Sequence, residues 1–309
     1  MTAVKLSDMM KKRQLLSFEL FPPKTDRGMT NLSETIQQLC RYKPEYISVT
    51  YGAGGGNVGA NRQVCRMVRN AGAVPVTHFT VIRNTKQGIR EQLETYLKEG
   101  VDHILALRGD FPRGETTTGG DFNYATDLVK FIRDEFGEQF EIAVAGSPEG
   151  HISCRSLEAD IGVLKMKQDN GADYIMTQLC WDMEQFERWL DKIRRAGVTL
   201  PVDVGIMPIL DQAATINMAL SRNGCVMDRE LSRLISKYWI FPNPFDKAPF
   251  DDSLEQKKAD FKKAGIEYTI RQIRQIPFSW RRGDPPVCHE QMERTYPRSL
   301  RGPGIRTLI

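Results

Sequence analysis

The chain has 309 residues, of which 40% are hydrophobic and 27% charged, so its composition is that of an ordinary globular protein and not of a disordered one. Its 43 basic and 39 acidic residues leave a formal net charge of +4, and most of this excess follows Ile276. Because the body of the chain has no basic stripe interleaved with aromatic residues, the sequence argues against a nucleic-acid-binding protein.

Cysteine spacing and hydropathy argue against two more classes of protein. The six cysteines lie far apart, with no CxxC pair and no histidines at metal-ligand spacing, so the sequence predicts neither a metal site nor a disulfide framework. No segment approaches the roughly 18 apolar residues of a membrane span, and no apolar run follows the basic N-terminus. We therefore expect a soluble, untargeted protein of the cytoplasm.

Seven short apolar runs alternate with longer helical patterns from Leu16 onward, which is typical of βα units that build a parallel sheet. The predicted strands are residues 16–21, 45–52, 74–81, 103–109, 141–146, 173–179 and 202–210. Several of the intervening helical patterns end at a Gly, the residue most often found just beyond a helix C-terminus. After the seventh strand, two more helical stretches and a long helix from about Ser253 to Ile276 are predicted.

The near-continuous apolar strands indicate burial on both faces, which fits either a closed barrel or an open, doubly wound sheet. Polar residues gather at the carboxyl ends of the strands, namely Glu19, Thr50, His78, Asp110 and Gln178. A closed barrel brings such ends around one mouth, whereas an open sheet spreads them along an edge. The sequence therefore favours an α/β fold of the (β/α)8 TIM-barrel type.

Three of these side chains are candidates for chemistry. Glu19 lies among large apolar residues, and such burial favours the neutral, proton-donating form of a carboxyl; an ion pair at the barrel rim is the alternative. Asp110 follows a Gly that lets backbone approach a ligand, or else it stands in a surface turn. Gln178 ends an apolar strand, so its amide needs a partner in a ligand or in neighbouring backbone. The residues alone thus indicate a small-molecule barrel enzyme.

Eight motifs occur in order between about residues 15 and 276. They are FELFPPK (18–24), YISVTYGAGG (46–55), HFT (78–80), HILALRGD (103–110), DFNYATDLVKFIR (121–133), AVAGSPEGH (143–151), LEADIGVLKMK (157–167) and GADYIMTQL (171–179). Together they resemble the motif set of the methylenetetrahydrofolate reductase family. The resemblance implies a bacterial-type, FAD-dependent reductase barrel over residues 1–276.

Enzymes of that family reduce 5,10-methylenetetrahydrofolate to 5-methyltetrahydrofolate by ping-pong hydride transfer through N5 of FAD, with NADH or NADPH as electron donor. By resemblance, Glu19 is the general acid, Asp110 a carboxylate that contacts the pterin and tunes the flavin, and Gln178 the amide that binds folate. The FAD-binding positions implied in the same way are Thr50, His78, Leu107, Arg108, Gly109, Asp110, Tyr124, Ala125, His151, Asp160 and Lys167. The resemblance further suggests a homo-oligomer or a complex with a partner subunit.

The sequence departs from the family pattern at several positions near these sites. Ser147 stands where an aromatic residue is common, and Ile152 replaces the usual proline. Residues 179–181 replace a phenylalanine-rich run, and Gln212 stands where some members have a phenylalanine that contacts folate or nicotinamide. We expect these changes to affect packing near FAD and the choice of electron donor.

Residues 277–309 form an atypical C-terminal tail, with five prolines and no strand–helix pattern where the family has its eighth strand and last helix. The sequence therefore predicts that this unit is missing or replaced by an irregular tail, so that the first and seventh strands keep unpaired edges. Codons for Gly283 to Met292 can be chosen so that a one-base shift reads Gly-Ile-His-Leu-Tyr-Val-Met-Asn. A frameshift product is our explanation for the tail.

Two other interpretations stay open at this point. The chain could be a non-catalytic or damaged homologue that acts as an accessory subunit, or a barrel enzyme that uses no flavin. A yellow purified protein, whose absorbance bleaches with NADH or NADPH and recovers with methylenetetrahydrofolate, separates the leading hypothesis from both; a flavin-free enzyme would be colourless.

Overall fold

The computed structural model describes residues 5–51, 58–111, 114–221, 225–240 and 254–276, together with the backbone of residues 305–308. Its strands are β1 (Ser17–Leu20), β2 (Tyr46–Val49), β3 (Val74–Thr80), β4 (His103–Leu107), β5 (Glu141–Gly146), β6 (Tyr174–Thr177), β7 (Val202–Asp203), β8 (Gly205–Ile206) and β9 (Ile305–Leu308). Its helices are α1 (Leu6–Met10), α2 (Asp26–Cys40), α3 (Val58–Asn70), α4 (Lys86–Lys98), α5 (Ala125–Phe136), α6 (Leu157–Asp169), α7 (Met183–Arg195), α8 (Gln212–Ala219), α9 (Arg229–Lys237) and α10 (Leu254–Gln275), with a 3-10 turn at Gly137–Gln139.

Side-chain caps fix where many of these helices begin. Thr25, Thr85 and Ser156 each accept a hydrogen bond from the backbone N–H three residues later, and so do Asp182 and Asp211. Each cap satisfies one of the N–H groups that the first turn of a helix leaves without a partner. The alternation of strands and helices predicted from the sequence is confirmed.

The first seven strands run parallel and pair in chain order, from β1 to β7. Glu19 of β1 lies opposite Ser48 of β2, and Ser48 lies opposite Val76 of β3. Side chains alternate across the sheet, so Ile47 and Val49 pack into the large core beneath the helices while Tyr46 joins a second core on the inner face.

The inner core fills the amino-terminal part of the curled sheet. Its buried members are Leu6, Met10, Leu15, Tyr46, Val76, Leu105, Ala143, Tyr174 and Met176. Leu6 and Met10 come from α1, which therefore packs against the inner face rather than with the outer helices. The polar residues further along β1 and β3 thus lie above an apolar floor.

Long-range hydrogen bonds show how far the sheet curls. Ser17 Oγ of β1 donates to Asp203 Oδ2 of β7 over 3.2 Å, and Tyr46 OH of β2 donates to the same oxygen. The first and last parallel strands therefore face each other. Burial raises the pKa of Asp203 to about 7, with the bond from Ser17 acting in the opposite direction.

A charge network ties α1 to the amino-terminal edge of the sheet. His103 Nδ1 lies 2.7 Å from Asp102 Oδ1, and its Nε2 lies 3.0 Å from Glu141 Oε2. Glu141 also accepts hydrogen bonds from the backbone N–H groups of Leu6 and Ser7, over 2.8 and 2.7 Å. Burial alone lowers the pKa of His103, but the bonds to Asp102 and Glu141 outweigh it and raise this pKa to about 9. His103 is therefore a structural residue.

The C-terminal tail differs from its prediction in one respect. Its strand β9 pairs antiparallel with β1 at four positions and with β8 at two, so the expectation that the first and seventh strands keep unpaired edges was wrong. An antiparallel strand can satisfy the same edge N–H and C=O groups as a parallel one. No parallel eighth strand occurs among the described residues. Most of the tail and the segment 241–253 lie outside them.

Of the predicted TIM-type fold, the α/β class is confirmed, with a curled sheet of seven parallel strands flanked by helices. Closure into a full barrel stays a prediction. None of the helices in the described part of the chain is both long and apolar enough to cross a membrane.

Candidate active site

Glu19 and His78 meet on the inner face of the sheet. Their side chains extend from β1 and β3, and His78 Nε2 lies 3.7 Å from Glu19 Oε2. Glu19 is 7% exposed and His78 8%, so a carboxyl and an imidazole face each other away from bulk water. Ser48, which lies opposite Glu19 on β2, is fully buried, and its Oγ makes no hydrogen bond within the described residues. Two of the predicted site residues are therefore brought together.

Thr50 is fixed at the carboxyl end of β2 by a buried asparagine. Asn61 of α3 donates from Nδ2 to the carbonyl oxygens of Val49 and Thr50, over 3.0 and 3.2 Å. Its Oδ1 accepts from Thr77 Oγ1 at 2.9 Å and from Tyr96 OH at 2.7 Å. With its amide fully engaged, Asn61 sets the path of the chain through Thr50.

The chain turns sharply after β4, at the predicted segment Leu107–Asp110. Gly109 has φ +87°, and a Cβ atom there would lie 2.6 Å from Ile82 Cγ1 and 3.0 Å from Thr80 Cβ. A residue with a side chain would be strained in this conformation and would collide with its neighbours. Arg108 Nε donates to the carbonyl oxygen of Gly109 over 3.2 Å, while Asp110 is exposed.

A second group of predicted residues gathers around Asp160. Its carboxylate accepts from the backbone N–H of His151 over 3.1 Å and from Cys154 Sγ over 3.5 Å. Lys167 Nζ donates to the carbonyl oxygen of Ala145 over 2.8 Å. Burial lowers the pKa of Lys167, and the negative charge of Asp160 opposes that shift.

The charges of this group act on one another. Burial lowers the pKa of His151, the positive charges of Arg108 and Lys167 lower it further, and Asp160 and Asp110 act against the shift. The structure therefore brings together five residues that the sequence implied as FAD ligands, with three cationic or titratable nitrogen groups among them. Such a set suits a phosphate-containing anion.

The remaining predicted residues are Tyr124, Ala125 and Gln178. Tyr124 is 61% exposed at the start of α5, Ala125 is buried behind it, and within the described residues no hydrogen bond or ring contact joins Tyr124 to the other positions. Gln178 follows β6 and is half-buried; its backbone N–H donates to Gly146 over 2.7 Å, and its Oε1 accepts from the backbone N–H of Leu179 over 3.0 Å.

A sequence model of the family described as methylenetetrahydrofolate reductase matches residues 5–231, which is most of the chain. The chain belongs to the methylenetetrahydrofolate reductase family. The resemblance that the eight motifs carried is confirmed.

Curated members of the methylenetetrahydrofolate reductase family are similar in sequence. Methylenetetrahydrofolate reductase (NADH) 1 of Arabidopsis thaliana is 37% identical over 216 residues, 66% of this chain and 36% of the plant protein. The 5,10-methylenetetrahydrofolate reductase of Escherichia coli is 35% identical over 195 residues, 63% of this chain and 64% of the bacterial protein. The match thus spans about a third of the plant relative and under two thirds of the bacterial one.

A solved structure resembles the fold at low sequence identity. It is an uncharacterised protein from Clostridium thermocellum, described as binding two copies of 5-methyl-5,6,7,8-tetrahydrofolic acid. The TM-score is 0.52 at 12% identity, and the match covers 89% of this chain and 92% of the other. At this identity the likeness supports the fold alone.

Two residues near the candidate site of this methylenetetrahydrofolate reductase family member were not predicted from the sequence. Asn61 holds the end of β2 by its hydrogen bonds. The sequence indicated it only as a polar residue on the buried side of a predicted helix. Glu149 lies within the motif AVAGSPEGH, two residues before His151, and burial raises its pKa to about 7. Both act through contacts distant in sequence.

Gln212, where the sequence predicted a difference from the family, has a structural role. It is fully buried, and its Nε2 donates to the carbonyl oxygens of Ile235 and Tyr238 over 3.1 and 2.9 Å. Its Oε1 accepts from the backbone N–H of Ile240 over 3.1 Å. The amide of Gln212 therefore holds the end of α9.

Proposed function

We propose that this chain binds FAD and reduces 5,10-methylenetetrahydrofolate to 5-methyltetrahydrofolate, with NADH or NADPH as electron donor in a ping-pong reaction. One observation carries the proposal: in a member of this family, a buried carboxyl and a buried imidazole lie 3.7 Å apart on the inner face of the sheet. The names of the Arabidopsis and Escherichia coli relatives support the choice of substrate.

We also propose that residues 1–276 form the body of a (β/α)8-type barrel. Strand β9 of the tail, residues 277–309, would close this barrel in place of the eighth strand. The two ends of the strand order support this. β7 and β8 are halves of the same extended segment, separated only by Val204, and they pair with β6 and β9 respectively. β9 in turn pairs with β1.

The residues present fit an FAD molecule. Thr80 Oγ1 is buried beside Gly109 and makes no hydrogen bond within the described residues, so a polar ligand atom could pair with it. Arg108 supplies positive charge and N–H donors for a pyrophosphate, and His151 and Lys167 supply further nitrogen groups beside it. When bound, the flavin would supply the site that first accepts and then donates a hydride.

The FAD-holding positions that we propose are those implied by the motifs. They are Thr50, His78, Leu107, Arg108, Gly109, Asp110, Tyr124, Ala125, His151, Asp160 and Lys167. Gly109 would keep the turn after β4 packed against Thr80 and Ile82, and so hold the neighbouring positions beside the ligand.

Three side chains would act on the folate. Glu19 would donate a proton to the substrate nitrogen that is released when the five-membered ring opens, and its burial keeps competing water away. The exposed Asp110 carboxylate would accept hydrogen bonds from pterin N–H groups. Gln178 would donate from its amide, whose oxygen is already held by the backbone N–H of Leu179.

An anaerobic titration tests this function. Protein reconstituted with FAD should be yellow, its flavin absorbance should bleach with NADH or NADPH, and the colour should return on addition of methylenetetrahydrofolate. Comparing the two nicotinamides identifies the donor.

Two outcomes would contradict the proposal. A protein that stays colourless after incubation with FAD would favour a flavin-free barrel enzyme. A yellow protein that bleaches but never recovers with the folate would favour a non-catalytic homologue acting as an accessory subunit.

A further inference from the structure

Three loops meet beside Gln178, and Glu149 contacts two of them. Glu149 itself lies in the loop that follows β5. Its Oε2 accepts a hydrogen bond of 2.6 Å from the backbone N–H of Val226, in the connection between α8 and α9. Its Oε1 also lies 3.9 Å from Cys180 Sγ, in the segment that follows β6, although this thiol donates over a shorter 3.3 Å to the carbonyl oxygen of Asp182. The carboxylate therefore fastens the connection between α8 and α9, which is distant from it in sequence.

Cys225, next to Val226, links the Glu149 contact to Gln178 through Leu179. Cys225 Sγ donates to the carbonyl oxygen of Leu179 over 3.3 Å. The backbone N–H of Leu179 in turn donates to Oε1 of Gln178. The position of Leu179 thus decides how the Gln178 amide is turned. Within the described residues the Nε2 of Gln178 donates to no protein atom, so its two N–H groups are available to a ligand.

The far end of the same segment is held by α10. Tyr268 OH donates to the carbonyl oxygen of Trp181 over 3.3 Å and to Asp228 Oδ2 over 3.0 Å, and Gln272 Nε2 also donates to the Trp181 carbonyl. At the near end, the backbone N–H groups of Gln178 and Cys180 donate to the carbonyl oxygens of Gly146 and Gly205 over 2.7 and 3.0 Å. Cys225 adds the bond to the Leu179 carbonyl oxygen between these two points.

The burial that raises the pKa of Glu149 to about 7 also makes the N–H of Val226 a valuable partner, since a half-buried carboxyl is costly without one.

We propose that Glu149 is a positioning residue for the Gln178 amide: by fastening the Cys225–Asp228 connection it holds Cys225 against Leu179 and so sets the direction of the Gln178 N–H groups. This inference rests on the proposed function in one point, namely that Gln178 binds the folate. It assigns to Glu149 an effect on substrate binding and none on the reaction with the nicotinamide.

Steady-state and half-reaction kinetics of the FAD-loaded protein test this. Glu149→Ala should raise the KM for methylenetetrahydrofolate about 5- to 15-fold, the size expected for one or two misplaced neutral hydrogen bonds. Flavin reduction by the nicotinamide should keep its rate. Glu149→Gln retains an oxygen that can accept from Val226, so its KM should stay within about twofold of the original. The double variant with Gln178→Ala should be no worse than Gln178→Ala alone.

Gln185→Ala is the matched control. Gln185 Nε2 donates to the carbonyl oxygen of Pro148, in the same loop as Glu149, over 2.8 Å. Within the described residues its side chain makes no hydrogen bond to the Cys225–Asp228 connection. Its removal should leave the KM unchanged. If Glu149→Ala does not fold, Cys225→Ala interrupts the same path one step later, with Cys225→Ser as its conservative partner.

A readout without turnover separates this inference from the proposed function. The side-chain amide resonance of Gln178 in isotope-labelled protein, assigned by its loss in Gln178→Ala, should shift in Glu149→Ala and Cys225→Ala but not in Glu149→Gln or Gln185→Ala. An unshifted resonance in both alanine variants overturns the positioning role whether or not the protein turns over. A normal KM in Glu149→Ala, beside a raised one in Gln178→Ala, overturns it while the proposed function stands.

Discussion

His78 Nε2 lies 3.7 Å from Glu19 Oε2, although the two residues belong to strands that are separated by β2. Both side chains leave the sheet on its inner face, above the apolar floor that α1 helps to fill. The carboxyl therefore has a polar neighbour in surroundings from which bulk water is largely removed, an arrangement suited to controlled proton transfer.

Replacing Glu19 with Gln should separate the two half-reactions. The amide keeps the shape of the side chain but cannot donate the proton that ring opening needs, so reoxidation of the reduced flavin by methylenetetrahydrofolate should slow by about 10²- to 10⁴-fold. Bleaching by the nicotinamide should keep its rate. Stopped-flow absorbance measures both steps, with Glu34→Gln, an exposed change on α2, as control. Equal loss in the two half-reactions would contradict the role as acid.

Gly109→Ala should destabilise the protein and reduce its FAD content. The added Cβ would lie within 3.0 Å of Ile82 and Thr80 at a backbone φ of +87°, and we expect a loss of about 1–3 kcal/mol in the free energy of unfolding. Gly162→Ala is the control, because this position on α6 has open space around it and the change should stabilise the helix by about 0.5–1 kcal/mol. Urea unfolding measures both; similar values for the two variants would refute the prediction.

The network of His103 should make stability depend on alkaline pH. The folded-state pKa of His103 is raised to about 9 from an ordinary value of 6.5, so its contribution is fully present below pH 6.5 and is lost as the pH rises through about 9. In His103→Gln this loss should be absent. We expect the stability difference between the two proteins to shrink by on the order of 1–3 kcal/mol between the two ends of that range.

Urea unfolding at several pH values checks this. Because Lys and Tyr residues titrate in both proteins, only the difference between them is informative. A difference that stays constant with pH would mean that His103 is not charged in the folded protein.

Asp203→Asn should increase the free energy of unfolding most at higher pH. Burial raises the folded-state pKa of this carboxyl to about 7 from 3.8, and nearby Glu45 adds to the shift. The stability that its proton provides is therefore fully present below pH 3.8 and is lost as the pH rises through about 7. Relative to the original protein, the variant should gain on the order of 1–3 kcal/mol between pH 5 and pH 8.

Thermal or urea unfolding at those two pH values measures the gain. Asp191→Asn, an exposed change on α7, should show no such trend. A variant that is less stable than the original protein at pH 8 would show that Ser17 and Tyr46 need the charged form of Asp203.

The sequence by itself determined the order and type of the elements and the family. Hydrophobic periodicity is a local property, and it predicted the seven parallel strands and the helices between them. The same local pattern placed three polar residues near strand ends: Glu19, His78 and Gln178. Motif order identified the family, since eight segments in sequence constrain more than any one of them.

Only the tertiary structure decided which of these residues meet. The bond from Tyr46 to Asp203 spans 157 residues and that from Val226 to Glu149 spans 77, and both depend on how far the sheet curls and on where a loop returns. The antiparallel β9 and the burial of Gln212 were missed for the same reason. Periodicity records whether a side chain is buried, but the partner that satisfies it is chosen by packing between segments far apart in the chain.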